Sequence, residues 1–359
     1  MAGAFAPSCP RSQAPRGGSW PRYLTFARDG DAIAALDGLR AFAILLVLAR
    51  HAVTPFRSDG QMLLPVFGWV AATPLINGWI GVDLFFVLSG FLISRGLVRR
   101  NGSAGGIRLG RYFARRAMRI LPAYYAVLGV AAAGWIPFFA VDADLLGLRV
   151  IYHALFLQDY LPSNIVIAFW SLGVEEKFYI AAPFVLVPLL RLNRRGLQYG
   201  IVAALILPPL AFRLNLIAGS AVVADYETFL RTIRSPFHRG FDGLDIGVLV
   251  ALLWRDRTHY RWIANPHAAC VIFWAGIAVT GGFWLTTPML DTIGLFDRSP
   301  LQLALAAGFG AVVLGALMRG QPERRGKNAR RAGIAAGHDS VLQPVSDPYD
   351  RYSGGIYLL

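Results

Sequence analysis

The sequence predicts an all-α fold, a polytopic transmembrane helical bundle with about eight complete spans. Of the 359 residues, 55% are hydrophobic and 16% are charged, which is too little polar surface to coat a soluble globule of this size. Apolar stretches recur at close to the ~20 residues that cross a bilayer. Arginines collect in short runs between alternate stretches, as they do in cytoplasmic loops.

The charge composition and the cysteines exclude two other classes of protein. A net charge of +14 is also typical of nucleic-acid-binding proteins, but only Lys177 and Lys327 are lysines and the arginines mostly separate apolar stretches. We therefore expect no nucleic-acid partner. Cys9 lies in a polar tail and Cys270 in an apolar stretch, so neither a disulfide framework nor a cysteine metal site is predicted.

Arginine placement predicts the topology. Arginines precede the first stretch and follow the second, fourth, sixth and eighth, so the amino terminus is predicted to be cytoplasmic. We expect residues 1–30 to be a disordered basic cytoplasmic tail, 31–318 a transmembrane domain and 319–348 a polar cytoplasmic segment. The eight predicted spans are 34–56, 74–98, 118–140, 165–190, 198–218, 240–254, 262–287 and 300–318.

Two segments fit this topology less well. Residues 219–239 belong to an outer loop but contain Arg231, Arg234 and Arg239. The apolar run 145–161 is long enough to be considered a span, but counting it would export the arginines at 191–195. We therefore expect 145–161 to lie in the outer interface of the membrane.

The first stretch carries two polar residues that indicate a site. Arg40 and His51 are eleven residues apart, so they project from one helical face about 16 Å apart. An unpaired arginine inside a bilayer costs roughly 2.5 kcal/mol or more, and intramembrane charges therefore tend to be functional. The alternative is an arginine at a helix end that reaches back to the interface.

The second stretch contains Asp83 and Ser89 among aromatic and small residues. Asp83 enters from the outer side, at a depth similar to that of His51, and is a candidate supporting residue with Ser89. The alternative interpretation is structural, because Gly81, Ser89 and Gly90 would let a neighbouring helix approach closely.

Three arginines open the third stretch. Arg116 and Arg119 are three residues apart and lie on one helical face at the cytoplasmic end, close to Arg115. Such arginines serve as an inside anchor in many membrane helices. Two guanidiniums on one face also suit bidentate binding of a di- or triphosphate, and the sequence leaves both interpretations open.

Glu175 and Glu176 open the fourth stretch. Adjacent helical positions differ by about 100°, so we expect at most one carboxylate to face a given neighbour and the other, with Lys177, to face elsewhere. A buried glutamate would be a natural counter-ion for Arg40, although the helix dipole alone also favours acidic residues here. The histidines elsewhere are scattered singly, and no metal site is predicted.

Four of these stretches together resemble the membrane-bound acyltransferase 3 family, whose members O-acylate lipopolysaccharide O-antigen, exopolysaccharides, nodulation factors and some macrolides. The end of the chain, YSGGIYLL, is similar to the first turns of the family's last helix without the remainder. The resemblance therefore implies that residues 349–359 are the stub of a truncated final transmembrane helix. The matching stretches are LDGLRAFAILLVLARH (36–51), GVDLFFVLSGFLI (81–93), RRAMRILPAYY (115–125) and WSLGVEEKFY (170–179).

The resemblance implies an integral enzyme of the bacterial cytoplasmic (inner) membrane. It transfers an acyl group, acetyl above all, from acyl-CoA to a hydroxyl of a glycan or lipid-linked saccharide. Acyl-CoA is a co-substrate, no bound cofactor is expected, and membrane lipids surround the bundle. The implied catalytic residues are His51, Arg40 and Glu175, the donor-binding residues Arg116 and Arg119, and the supporting residues Asp83, Ser89 and Tyr179.

The hypothesis for the mechanism has His51 as general base on the acceptor hydroxyl, or as a carrier of the acyl group between leaflets. Arg40 would stabilise the oxyanion or orient the thioester. Intramembrane Arg, His and Asp also mark transporters and flippases, and a non-catalytic partner in envelope polysaccharide assembly is the third interpretation.

Overall fold

A computed structural model describes residues 34–53, 57–58, 61–62, 73–102, 107–136, 144–160, 165–218, 230–285 and 300–320. The predicted tail at 1–30 and the predicted stub at 349–359 lie outside these residues, as does nearly all of the predicted polar segment 319–348. In the part of the chain that is described, the structure is helical apart from one antiparallel ribbon of two-residue strands, β1 (Arg57–Ser58) and β2 (Gln61–Met62). The all-α prediction therefore agrees with the described structure.

The helices of the described residues follow one another in chain order. Single 3-10 turns at Asn77–Trp79, Ile167–Phe169 and Arg261–Ala264 precede three of them, and a π-helical turn covers Leu230–Arg234. The helices are α1 (Ala34–Val53), α2 (Ile80–Asn101), α3 (Leu109–Ala132), α4 (Leu146–Ala154), α5 (Trp170–Arg191), α6 (Arg195–Leu205), α7 (Leu207–Ala218), α8 (Phe237–Gly240), α9 (Asp242–Arg255), α10 (Pro266–Leu285) and α11 (Pro300–Arg319).

Four helical segments in the described residues are long and apolar enough to cross a membrane: Thr73–Asn101, Arg195–Leu216, Pro266–Leu285 and Leu301–Arg319. Helices α1, α3 and α5 have 20, 24 and 22 residues, so they also reach the ~30 Å thickness of the hydrocarbon core, but they carry more charges. The chain is thus a multi-pass membrane protein. The number of eight spans stays a prediction.

Helix boundaries differ from the predicted spans mainly in α3. This helix begins at Leu109, nine residues before the predicted span at 118, because Arg, Ala and Leu all favour helix and the arginines extend it into the cytoplasmic region. Helix α4 has nine residues and is therefore about 14 Å long, too short to cross the bilayer. This agrees with the prediction that 145–161 is not a span.

Helix α2 is the centre of the bundle. In the apolar 18-residue stretch that includes most of α2, 83% of the residues are buried, against 17% in the corresponding stretch of α10. Helix α2 packs against α1, α5, α9 and α11. Its closest partner is α9, because Gly90 of α2 lies against the backbone of Leu244, and Gly247 of α9 lies against the backbone of α2. Small residues at these positions let the two backbones approach, as predicted for Gly90.

Candidate active site

His51 lies near the carboxyl end of α1, and its side chain has a defined tautomer. The Nδ1 atom is 2.8 Å from the carbonyl oxygen of Val47, one turn earlier. A carbonyl oxygen only accepts hydrogen bonds, so Nδ1 carries the proton and donates it. The lone pair of neutral His51 is therefore on Nε2, on an exposed side chain. This arrangement makes Nε2 available as a base.

The imidazole lines an apolar cavity of about 370 Å³. Helices α1 and α2, the start of α5 and the turn that precedes α5 form its walls. Within the described part of the chain, His51 and Ser171 are the polar side chains that line it; the remaining lining residues are Ala43, Ile44, Val47, Leu48, Gly81, Val82, Phe85 and Ala168.

The helices that line the cavity continue directly into a polar cluster. On α5, Glu175 follows Ser171 by four residues, and on α2, Ser89 follows Phe85 by four, so each pair lies one turn apart on a shared face. Both Glu175 and Ser89 are buried. Glu175 therefore lies one helical turn from Ser171, which lines the cavity together with His51.

Arg116 of α3 is at the centre of this cluster. Its Nη2 atom lies 3.0 Å from Oε1 of Glu176 and 3.7 Å from Oε2 of Glu175, and its guanidinium covers the ring of Tyr179. The Ser89 hydroxyl is a hydrogen-bond partner of the Glu175 carboxyl. Four of the predicted site residues, Arg116, Glu175, Tyr179 and Ser89, are thus in one cluster.

The expectation that only one of Glu175 and Glu176 would face a given neighbour is wrong. Both carboxylates face Arg116. The reason is the length and shape of the arginine side chain, because a planar guanidinium with five donors reaches two carboxylates that leave the helix about 100° apart.

Arg40 reaches the same region from α1, but not as the ion-pair partner of Glu175. Its nearest carboxylate among the described ion pairs is that of Asp37, 3.9 Å away and one turn earlier. Arg40 also interacts electrostatically with Arg119, Tyr179 and Glu175. The predicted pairing of Glu175 with Arg40 is therefore replaced by the pairing of Glu175 with Arg116.

Arg119 is exposed, one turn beyond Arg116 on the same helix. With Arg115, whose Nε donates to the carbonyl of Arg111, it forms a cationic surface next to the buried cluster. Arg116 itself is held by two carboxylates, so the two members of the predicted phosphate-binding pair have different surroundings: Arg119 is exposed and Arg116 is half-buried.

Asp83 faces away from the cavity. Its Oδ2 atom accepts a hydrogen bond from Nη2 of Arg234 at 2.7 Å, and both side chains are buried. The Arg234 guanidinium also lies over the rings of Trp79 and Trp170. Asp83 therefore supports the bundle through an ion pair. This pair also gives a structural role to Arg234, one of the three arginines that the topology prediction places in an outer loop.

A second buried ion pair positions the turn that carries Ala168. Lys177 of α5 donates to Asp159 and to the carbonyl of Phe156, and Nε2 of Gln158 donates to the carbonyl of Phe169 at 2.9 Å. Burial raises the pKa of Asp159, which lies outside the spanning helices, and Lys177 opposes this rise. These bonds hold residues 167–169 against the segment 156–159.

Sequence reasoning missed Ser171, Val82, Phe85 and Ala168 as residues near His51. Ser171 and Phe85 could have been found from helical spacing, since each is four residues from a predicted site residue. Ala168 had no such signal, because its position depends on the turn at Ile167–Phe169.

Comparison with known proteins agrees with these features. Residues 33–359 match a family model described as an acyltransferase domain. "Putative peptidoglycan O-acetyltransferase YrhL" of Bacillus subtilis (strain 168) is 31% identical over 192 residues, 49% of this chain and 27% of that protein. The peptidoglycan O-acetyltransferase OatA of Listeria monocytogenes (strain EGD-e) is 30% identical over 173 residues, 44% of this chain and 25% of OatA.

A "Putative O-acetyltransferase" of Staphylococcus aureus (strain COL) is 27% identical over 246 residues, 62% of this chain and 35% of the relative. These alignments thus cover about a quarter to a third of the relatives' length. No solved structure matches the chain significantly. Because the family match covers nearly all of the chain beyond its basic tail, the chain belongs to the acyltransferase 3 family, which its four sequence stretches resemble.

Proposed function

We propose that this protein is an integral membrane O-acyltransferase, which moves an acyl group from acyl-CoA to a hydroxyl of a cell-surface glycan or glycolipid. The observation that carries the proposal is the position of His51. Its side chain lines a cavity whose walls continue, one helical turn further, into the cluster of Arg116 and Glu175, and its Nδ1 atom is engaged by the carbonyl oxygen of Val47. The proposed base and the proposed donor site thus adjoin the same faces of α2 and α5.

The residues would act in the following order. Arg119 and its neighbouring arginines hold the phosphates of coenzyme A at the cytoplasmic end, while Arg116 shares its charge with Glu175 and Glu176. Nε2 of His51 takes the proton of the acceptor hydroxyl, and the hydroxyl oxygen attacks the thioester carbonyl carbon. The carbon–sulfur bond breaks, and the thiolate of coenzyme A leaves and takes up a proton. Arg40 stabilises the oxyanion that forms.

The acceptor and the membrane remain part of the proposal. The relatives named as peptidoglycan O-acetyltransferases support O-acyl transfer to a glycan acceptor; acetyl is the acyl group in their names, and the acyl group of this chain is a separate question. We place the chain in the bacterial cytoplasmic membrane with the amino terminus inside and eight spans, because this orientation puts Arg119 on the side where coenzyme A is found. The acceptor would then approach His51 from the outer side.

The test uses membranes that contain the full chain and labelled acetyl-CoA. Wild-type membranes are expected to label a glycan fraction, and His51→Gln is expected to lower the rate by a factor of about 10² to 10⁴, the usual contribution of a general base. His267→Gln, which changes an exposed histidine outside the cavity, is the matched control. Equal labelling by wild type and His51→Gln would remove His51 from the chemistry.

A further inference from the structure

The cavity beside His51 interrupts an otherwise buried surface of the central helix. Every residue from 76 to 91 is buried except Val82 and Phe85. These two side chains lie one turn apart and both line the cavity. The partial exposure of two large apolar side chains therefore comes from a space that the described residues leave beside them.

The described lining of this space favours an apolar occupant over a sugar ring. Among the residues that the structure describes, only His51 and Ser171 bring polar side chains to it, and the Ser171 hydroxyl already donates to the carbonyl of Ala168 at 3.3 Å. A saccharide placed here would lose its hydrogen bonds to water, at a cost of about 1–3 kcal/mol for each unsatisfied hydroxyl. The cavity therefore suits hydrocarbon.

The position of the cavity indicates which hydrocarbon it takes. The thioester carbonyl must come next to the hydroxyl that Nε2 of His51 deprotonates, so the chain attached to that carbonyl reaches the walls around His51. The polar end of the donor is directed to the cluster of Arg116 and Glu175. A volume of about 370 Å³ is within the range of pockets that hold whole small molecules and much larger than the single methyl group of acetyl.

We propose that this cavity binds the alkyl part of a donor acyl group longer than acetyl, and that Val82, Phe85 and Ala168 determine the chain length that is accepted. The inference rests on the proposed function and names its donor more closely. The group transfer is the one described above: the acceptor oxygen forms the new bond to the acyl carbon, and the coenzyme A thiol leaves.

The experiment measures transfer from acetyl-, butyryl-, hexanoyl- and octanoyl-CoA by membranes containing the full chain. Burying each added methylene is expected to raise kcat/KM about fourfold until the cavity is full. Val82→Phe and Ala168→Leu should shift the preference towards shorter chains, and Phe85→Ala towards longer ones. Ala52→Leu is the matched control, because Ala52 is exposed and next to His51 but does not line the cavity.

The outcomes separate this inference from the proposed function. If no donor of any length is used, the proposed function fails. If acetyl is transferred fastest and the length profile is the same in wild type, Val82→Phe and Phe85→Ala, the chain-length proposal is overturned and the cavity is a place for bilayer lipid. Extraction in a monodisperse form confirms that each variant is folded. A shift of the profile in Ala52→Leu equal to that in Val82→Phe would also contradict the proposal.

Discussion

Arg116 and Glu175 form a contact between α3 and α5, with 3.7 Å between Nη2 and Oε2. The same guanidinium lies 3.0 Å from Oε1 of Glu176 and covers the ring of Tyr179. The planar guanidinium of Arg116 thus contacts two carboxylates and one aromatic face. These simultaneous contacts depend on the forked geometry of the arginine side chain, which lysine lacks.

Replacing Arg116 by lysine should therefore lower acyl transfer at least tenfold, although the charge is kept. A lysine ammonium is a point charge that cannot bridge both carboxylates while it stacks on Tyr179. Arg115→Lys changes an exposed neighbour and should stay within twofold of wild type. Initial rates with labelled acyl-CoA, at matched levels of protein in the membrane, check this. Equal loss in the two variants would mean that only cytoplasmic charge matters.

Arg119 should affect donor binding more than the chemical step. It is exposed and lies one turn from Arg116 on the same helix, so Arg119→Gln removes a cation from the donor entrance without breaking a buried pair. We expect the KM for acyl-CoA to rise about tenfold or more, since a hydrogen bond to a charged group contributes about 1.5–3 kcal/mol, with kcat changed less than twofold. A fall in kcat at unchanged KM would instead place Arg119 at the reacting atoms.

The ion pair of Asp83 and Arg234 predicts a stability effect. Both side chains are buried, with 2.7 Å between their charged atoms, so Asp83→Asn leaves an arginine without its counter-charge. We expect a loss of about 3–5 kcal/mol in the free energy of unfolding. Asp37→Asn, which breaks the exposed pair with Arg40, should cost less than about 1 kcal/mol.

Thermal unfolding of the purified protein in detergent measures both variants. A double variant, Asp83→Leu with Arg234→Met, removes both charges and should recover most of the stability. If the double variant is less stable than Asp83→Asn, the ion pair is not the main contribution of Arg234 to stability. The packing of its guanidinium on Trp79 and Trp170 would then contribute more.

Two glycines of α2 make a matched pair of substitutions. A Cβ atom at Gly90 would lie 2.8 Å from the carbonyl carbon of Leu244, whereas one at Gly96 would meet nothing within 4 Å. Gly90→Ala should therefore push α2 and α9 apart and cost about 1–3 kcal/mol. Gly96→Ala should be neutral or stabilise by up to about 1 kcal/mol through helix propensity. Thermal unfolding in detergent compares the two variants. Equal free energies of unfolding for Gly90→Ala and Gly96→Ala would show that α9 can shift to make room for the added methyl group.

The helical bundle and most of the site can be predicted from the sequence for a physical reason. Charged side chains on apolar helices must face the interior of the bundle, and a small bundle has few interior positions. This applies to Arg40, Glu175 and Arg116. Helical spacing then brings Ser89 and Tyr179 to the same surfaces. The match of residues 33–359 to the family agrees with this reading.

The partners of these charges could not be predicted in the same way. Arg234 is 151 residues from Asp83, and no local pattern indicates which of several outer-loop arginines turns inward. Likewise, nothing in the sequence shows that Arg116 rather than Arg40 meets Glu175, because that choice depends on how far α3 and α1 sit from α5. Pairing across a bundle is decided by packing distances.

Gly81 has no side chain, but its packing bears on the proposed role of His51. A Cβ atom at this position would lie 2.6 Å from the carbonyl oxygen of Ala43 and 2.9 Å from the Cβ atom of Leu46. Helices α1 and α2 are therefore in close contact here, and α1 cannot slide along α2 without a clash. Slipping α1 by a single residue would move the imidazole about 1.5 Å along the membrane normal. An error of about 1 Å in a reacting group can cost a factor of about 10² in rate. The close packing at Gly81 thus fixes the depth in the membrane at which His51, the proposed base, is held.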